Sequence, residues 1–366
     1  MKNKITSKEA ISIICIISLC QLILNIPKTI INSCSTGSII NILYISLIAL
    51  FINIFMFKII KNFPTDDIID ISEKVGGNVL KFIISLIFIL FFILLILIAL
   101  SDFSYLLKCI YFQNAPLTFI LAFFILATLF ANLTGFNSIK KICTIFTPIL
   151  IFSFLIIFLK SLPNIALEDF TPILGYNYKA TFQTGLLNLF FFNFLILYLF
   201  IMPLLKRKND IKKIMFTSFS INIFILIITI LSLIAIFTAH IHSTNINSLY
   251  FLTRSIELST FIEQVDAIYI FIWILSLFIY MSILLFLITH ILNKLFHFKD
   301  YKQTSYSILS IIIGLALIFT DLSQITFLEE TLFKYSSIII TFGISLIILI
   351  LGTLKQKRKQ HSSRSN

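Results

Sequence analysis

Charge is what this chain has least of. Asp, Glu, Lys and Arg make up 12% of its 366 residues, about half the share of an average soluble domain. A folded domain cannot hide nearly all of its side chains, because surface-to-volume scaling leaves too much area facing solvent. With 59% hydrophobic residues and a mean hydropathy of +1.05, a soluble protein is excluded. At roughly 20 apolar residues per crossing, the apolar content suffices for about ten transmembrane helices.

Chemistry-bearing residues are also scarce. There are 16 acidic residues, five histidines and five cysteines. Cys15, Cys20, Cys34, Cys109 and Cys143 are scattered, with no C-x-x-C pair and no Cys/His grouping, which argues against a zinc or redox site. A Cys34–Cys109 disulfide is not expected, since spacing alone does not bring two thiols together. The sequence lacks G-x-S-x-G, H-E-x-x-H and a Walker loop. His240 and His242 stand at one helix end without a nearby cysteine. No enzyme, metal or cofactor is expected.

What is present is a succession of apolar runs broken by short polar loops. They predict ten helices, near 9–33, 37–60, 80–109, 117–135, 140–160, 182–205, 213–240, 263–292, 304–322 and 335–354. The clearest is Phe82 to Leu100, where Ser85 is the only polar side chain. The first is not a cleaved signal peptide, because it lacks a small-residue cleavage site and runs on through Asn25 and Pro27. One transmembrane domain over 1–354 and a basic tail at 355–366 follow.

Ten crossings put both termini on one side. With the N-terminus inside, 22 of the 28 Lys and Arg residues fall inside. Only Lys28, Lys108, Lys160, Lys179, Arg254 and Lys334 remain outside. That asymmetry is a positive-inside signal, so the net charge of +12 reports topology and not nucleic-acid binding. The tail basic cluster Lys355–Lys359 adds a minor affinity for anionic lipid. Tyr105, Tyr111, Tyr176, Tyr178, Tyr250, Tyr301 and Tyr335 lie at predicted helix ends as interfacial anchors. Tyr280 instead falls mid-helix, where its hydroxyl needs a partner. The loop from Asn62 to Gly77 reads as a short amphipathic surface helix, capped by Thr65 and stopped by Gly76-Gly77.

Breaks in membrane helices point to transporter-type sites, because unwound backbone offers free N–H and C=O groups. Asn25 and Pro27 supply such a break in helix 1, and Gly185, Asn188, Asn193 and Pro203 interrupt helix 6, five helices later. This spacing suggests an inverted 5+5 repeat, with halves at about 9–160 and 182–354. The competing reading is that these residues are ordinary kinks and caps near helix ends. Asp102, Glu263, Asp266, His290 and Asp321 are the polar groups nearest the membrane interior. Their positions near helix ends favour capping and snorkelling over proton or substrate roles.

The segment Arg254-Ser255-Ile256-Glu257, followed by Phe261 to Ile268 and Trp273, resembles the loop-into-helix-8 signature of spore germination permease-like proteins. These are the B subunits of nutrient germinant receptors, within the amino acid–polyamine–organocation superfamily. Pro203 with Lys206-Arg207-Lys208, the loop from Phe63-Pro64 to Gly76-Gly77, and Pro27 in helix 1 are similar to that family too. The chain departs from the pattern at Gln264 and in the first half of helix 6, where Phe192-Asn193 replaces an acidic region.

The resemblance implies an all-α polytopic protein with a LeuT-like fold, broken at helices 1 and 6, whose central pocket binds a small germinant such as an amino acid. It implies backbone contacts from Leu24, Asn25 and Ile26, and a polar lining from Asn188, Asn193, Ser276 and Tyr280. Leu97 or Ser101 would form a wall. It also implies A-type and lipoprotein C-type partner subunits and residence in the inner spore membrane or cell membrane. The alternative is an autonomous ion- or proton-coupled amino-acid or amine permease.

Overall fold

Why an apolar chain must be helical here follows from its solvent: lipid offers no hydrogen bonds, so each span must satisfy its own backbone. The computed structural model describes residues 4–24, 26–237, 247–255, 265–297, 301–319 and 322–362. Among them the only extended pairing is a single parallel bridge between Ile5 and Leu205. Everything else ordered is helix or turn.

The first span is two helices, α1 (Ser7–Ile23) and α2 (Ile26–Cys34). A turn at Ser35–Gly37, with Ser35 at φ 51°, reverses the chain into α3 (Ser38–Ile60). Then come α4 (Ile68–Ile110), α5 (Leu117–Leu133) and α6 (Phe136–Ser161). The sixth span is composite: α7 (Tyr178–Phe182), a 3-10 stretch Thr184–Leu195, and α8 (Ile196–Ile201). It is followed by α9 (Ile211–Phe237), the short loop helix α10 (Ser248–Arg254), α11 (Val265–Phe296) and α12 (Tyr301–Ala316). The last span joins α13 (Leu322–Phe327), α14 (Lys334–Ile338) and α15 (Ser345–Ser362) through two π-helical stretches.

Each of the ten predicted segments is thus largely helical in its described residues. Among the described residues, seven helical stretches are long and apolar enough to cross a membrane, and Leu117–Leu133 and Thr304–Ala316 are shorter apolar helices. The chain is an integral membrane protein. Its lipid-facing surface carries large bare hydrophobics such as Phe51, Phe119 and Phe130, as expected where the surrounding medium is as apolar as the core.

Contacts between distant residues tie the span ends into two faces. On the N-terminal face, Ile5 N–H donates to Leu204 O at 2.8 Å, Lys140 Nζ to Lys4 O at 2.8 Å, and Lys355 Nζ to Val75 O at 3.1 Å. On the far face, Thr36 Oγ1 donates to Pro172 O and Asn41 Nδ2 to Thr181 O.

Three expectations need correcting. The surface helix after Pro64 is capped not by Thr65 but by Asp67, whose carboxylate accepts from Ile69 N–H and Asp70 N–H in a capping box. It is not stopped by Gly76-Gly77 either: Gly77, at φ 71°, turns the chain and α4 continues into the third span. The tenth helix begins at Leu322 and not near 335, because Glu329, Glu330 and Lys334 read as loop yet belong to the span, with Glu329 and Lys334 turned to the protein centre.

Gly77 yields the first prediction. A Cβ there meets nothing within 4 Å, so Gly77→Ala is opposed only by its left-handed backbone. A loss of about 1–3 kcal/mol is expected, since φ 71° with ψ −162° is a conformation that essentially only glycine adopts, read as a lowered thermal midpoint in detergent; an unchanged midpoint would show that the turn tolerates an ordinary φ.

Candidate functional site

At the middle of the bundle the first span is interrupted. Leu24 leaves α1 with an extended backbone (ψ −163°), and α2 resumes at Ile26. Pro27 stands at the second position of α2, where a helix needs no donor. The carbonyl of Ile23, freed by the break, accepts from Asn247 Nδ2 at 2.5 Å. Asn247 also caps α10, its Oδ1 accepting from Leu249 N–H at 3.0 Å. A loop helix is therefore docked directly on the break.

A cavity of about 20 Å³ opens at this point, with Gln21, Leu24, Ile26 and Thr29 on the first span. Leu95 and Ile98 of α4, Phe190 of the sixth span and Phe333 of the tenth form its apolar walls. Tyr280 of α11, with Glu329 and Lys334 of the tenth span, completes it. That volume holds about one water molecule, so a larger ligand requires the surrounding helices to move apart.

The polar lining is organised by a reciprocal amide pair. Gln21 Nε2 donates to Asn193 Oδ1 at 3.1 Å, and Asn193 Nδ2 returns a bond to Gln21 Oε1 at 3.3 Å. Asn193 follows Phe192, the residue whose ψ of 16° marks the irregular point of the sixth span. The two broken spans are thus joined side chain to side chain beside their breaks. The Tyr280 hydroxyl neighbours Gln21, giving the mid-helix phenol the partner it needs.

Charge gathers on the far side of the cavity. Lys28 lies within electrostatic reach of Asp102, Glu329 and Glu330, and Lys334 within reach of Glu330 and Glu329. The group links spans 1, 3 and 10 with both signs of charge beside the chamber.

The N-terminal face is closed by two fastenings. Residues 4–7 are stitched to the N-terminal-face ends of spans 5, 6 and 7: Lys140 Nζ donates to Lys4 O, Lys206 N–H to Ile5 O at 2.9 Å and Ser7 Oγ to Asp210 at 2.5 Å. The second is ionic. Asp67, fully buried, meets Lys294 Nζ at 2.6 Å and His290 Nε2 at 3.0 Å, and Lys294 also reaches Asp70 at 2.5 Å. Burial alone would raise the Asp67 pKa, but the His290 hydrogen bond and the Lys294 charge outweigh it and hold the carboxyl well below the usual carboxylate range. His290 is therefore a hydrogen-bond partner joining α11 to the N-terminus of α4.

Residues 4–326 match the family described as spore germination protein. The chain belongs to that family. A relative in Bacillus subtilis (strain 168), the spore germination protein YndE, is 24% identical over 284 residues, covering 75% of this chain and 77% of the relative. Among solved structures, the substrate-bound outward-open state of a Na+-coupled sialic acid symporter superposes with a TM-score of 0.65 at 14% identity, over 96% of this chain and 79% of that one. A mutant manganese transporter of Eremococcus coleocola gives a TM-score of 0.54 at 14% identity, over 94% and 77%. These likenesses show the fold, the LeuT-like arrangement with broken spans 1 and 6, and make this a germination-related membrane protein of permease-like build.

Within that family fold the expected site residues separate. Leu24, Ile26 and Tyr280 line the cavity, and Asn193 stands behind it through Gln21. Asn188 lies elsewhere, in a far-face cluster where its Nδ2 donates to Asn41 Oδ1 at 2.8 Å and Ser33 Oγ at 3.0 Å. Ser276 spends its hydroxyl on Trp273 O at 2.7 Å and sits beside Cys20. Leu97 and Ser101 are buried on α4, but the cavity wall is made by Leu95 and Ile98. Asp266 accepts from the Tyr250 hydroxyl at 3.2 Å. Asn25, Glu263, Asp321, His240, His242 and the segment Ile256 to Gln264 lie outside the described residues. All five cysteines are free.

Sequence reasoning missed Gln21, Thr29, Asn247, Glu329 and Lys334. Gln21 carries a legible signal, an amide four residues before the Asn25 break. Asn247 carries none, because it acts across 224 residues.

The amide pair supplies a second prediction. Gln21→Leu leaves the Asn193 amide buried and unpartnered, a cost of about 1–3 kcal/mol. The double change Gln21→Leu with Asn193→Leu should recover much of it. Equal losses in the single and double variants would contradict a reciprocal pair.

Proposed function

We propose that this chain is the membrane subunit of a spore nutrient germinant receptor, which binds a small zwitterion such as an amino acid and signals by changing conformation. The observation that carries the reading is the cavity at the helix-1 break, where apolar walls meet one carboxylate, Glu329, and one ammonium, Lys334. An α-amino group suits the carboxylate, and an α-carboxylate suits the ammonium and the N-terminal end of α2, where helix dipole and backbone N–H groups favour negative charge. Leu95, Ile98, Phe190 and Phe333 are left for a compact apolar side chain.

Signalling follows from size. A chamber of about 20 Å³ admits such a ligand only in a more open arrangement, so the ligand shifts the population toward it. Opening on the far side moves the Lys28, Glu329 and Lys334 group. Opening on the N-terminal face unfastens residues 4–7 and the Asp67 pair. The excess of Lys and Arg on that face supports a cytoplasmic orientation; in the inner spore membrane or cell membrane, A-type and lipoprotein C-type subunits would read the change.

The purified chain, reconstituted alone in liposomes, is expected to move no labelled amino acid, while spores lacking its gene lose their response to at least one member of an amino-acid panel. Solute flux by the chain unaided, with germination intact in the deletion, would favour a coupled permease instead.

A further inference from the structure

A second cavity lies on the outer flank of α11, away from the ligand chamber. It is a fissure of about 220 Å³ between α5, α6 and α11, walled by Ala131, Ile142, Phe146, Leu275, Phe278 and Ile279. Aromatic contacts brace it at both ends. Phe136 stacks on Phe286 with centroids 3.8 Å apart, and Phe278 packs against Phe124 at 5.0 Å and Phe123 at 5.9 Å. The small side chain of Ala131 leaves the space between these braces unfilled.

The lining offers nothing to water. Its one hydroxyl, Ser282 Oγ, donates to Phe278 O at 2.7 Å within its own helix. A buried water needs two to four polar partners, whereas apolar cavities of about 150 Å³ stay dry and take up hydrocarbon. The fissure exceeds that volume. It is too small for another helix, which with side chains is about 10 Å across.

Its mouth opens on lipid. Ile142 at the rim is 46% exposed, and it begins a bare stripe on α6 that continues through Ile145, Ile149 and Phe152. The walls Ile142 and Phe146 lie within the first three turns of α6, which starts at Phe136 on the N-terminal face. At 1.5 Å per residue this is about 15 Å or less from the start of α6, within one leaflet of a ~30 Å hydrocarbon core. We propose that the fissure is a binding subsite for an acyl chain of a phospholipid in the leaflet at the N-terminal face. Its position adds a consequence: α11 turns Phe278 and Ile279 to the fissure and Tyr280 to the central cavity. An inserted chain therefore bears on the helix that walls the ligand chamber.

The test uses the full chain in vesicles of phosphatidylcholine carrying a photoactivatable diazirine in mid-chain, with insertion sites mapped by peptide mass spectrometry. Ile279 is only 8% exposed, so annular lipid passing over the surface does not reach it. Labelling at Ile279 and Leu275 in the unaltered protein is the expected result. Ala131→Phe and, separately, Ile142→Trp should reduce that labelling to background while Phe152, at 62% exposure, stays labelled. Absence of label at Ile279 in the unaltered protein, with Phe152 labelled, overturns the proposal and needs no variant to fold. Label that persists in both folded variants overturns it equally, and a protein–protein crosslink occupying the fissure would assign the slot to a second copy.

Discussion

Replacing Asp67 with alanine is expected to cost about 3–5 kcal/mol, the usual penalty for removing one partner from a buried ion pair. The carboxylate accepts from Ile69 and Asp70 N–H, meets Lys294 at 2.6 Å and His290 at 3.0 Å, and is fully buried. Alanine removes the cap of α4 and leaves the Lys294 ammonium with Asp70 alone. Asp67→Asn keeps an acceptor for the cap and should lie between the native protein and alanine. Pairing Asp67→Asn with Lys294→Met should recover part of the stability relative to either single change, since the fully buried position 67 then faces no unpaired charge and only the part-buried Asp70 loses its partner. The readout is thermal unfolding in detergent.

The same group sets an acid dependence. The Asp67 pKa is lowered by folding from its ordinary 3.8. Its contribution is therefore fully present above that value and lost as pH falls through the lower folded pKa. Stability should be insensitive to Asp67 from neutrality down to about pH 5 and decline below about 4. In Asp67→Asn that part of the acid-side decline should vanish. An identical acid profile in the two proteins would mean that Asp67 is not held ionised by its partners.

The second large effect is expected at Asn247. Asn247→Ala strips the partner from the Ile23 carbonyl at the helix-1 break and removes the cap of α10. An unsatisfied buried carbonyl costs about 1–3 kcal/mol and a lost cap about 0.5–2. The distinguishing readout is local. Hydrogen exchange should accelerate at Leu249 and Tyr250 in α10 and around Leu24, while amides at the Asp67 end of α4 stay protected. Acceleration confined to α10 would show that Asn247 is only a cap; none at either place would remove it from the break.

How much of this could be read beforehand depended on the range of the interaction. Phe82 to Leu100 is unmistakable because lipid selects apolar side chains residue by residue. The helix-1 break is legible because Pro27 cannot donate within a helix and Asn is a poor helix former. The start of the tenth span was hidden, since Glu329, Glu330 and Lys334 read as loop until the fold brings the two carboxylates within electrostatic reach of both Lys28 and Lys334. Asp67 reads as one of several loop acids; only the return of α11 brings His290 and Lys294 to it. Gln21 and Asn193, 172 residues apart, meet only because two broken spans cross. Asn188 and Asn193 are alike in sequence, and the irregular turn at Phe192 between them sends one to the far-face cluster and the other to the centre.

The central claim, that a small zwitterion is held between Glu329 and Lys334 at the helix-1 break, is tested most directly by germination dose–response. Spores carrying Glu329→Gln or Lys334→Gln would be challenged with an amino-acid panel, with the level of the chain in the membrane monitored. Losing a hydrogen bond to a charged group costs about 1.5–3 kcal/mol, which is about a tenfold or greater rise in half-maximal concentration. The account predicts such a rise for the responsive amino acid in both variants at unchanged protein level. An unaltered dose–response in both would contradict it.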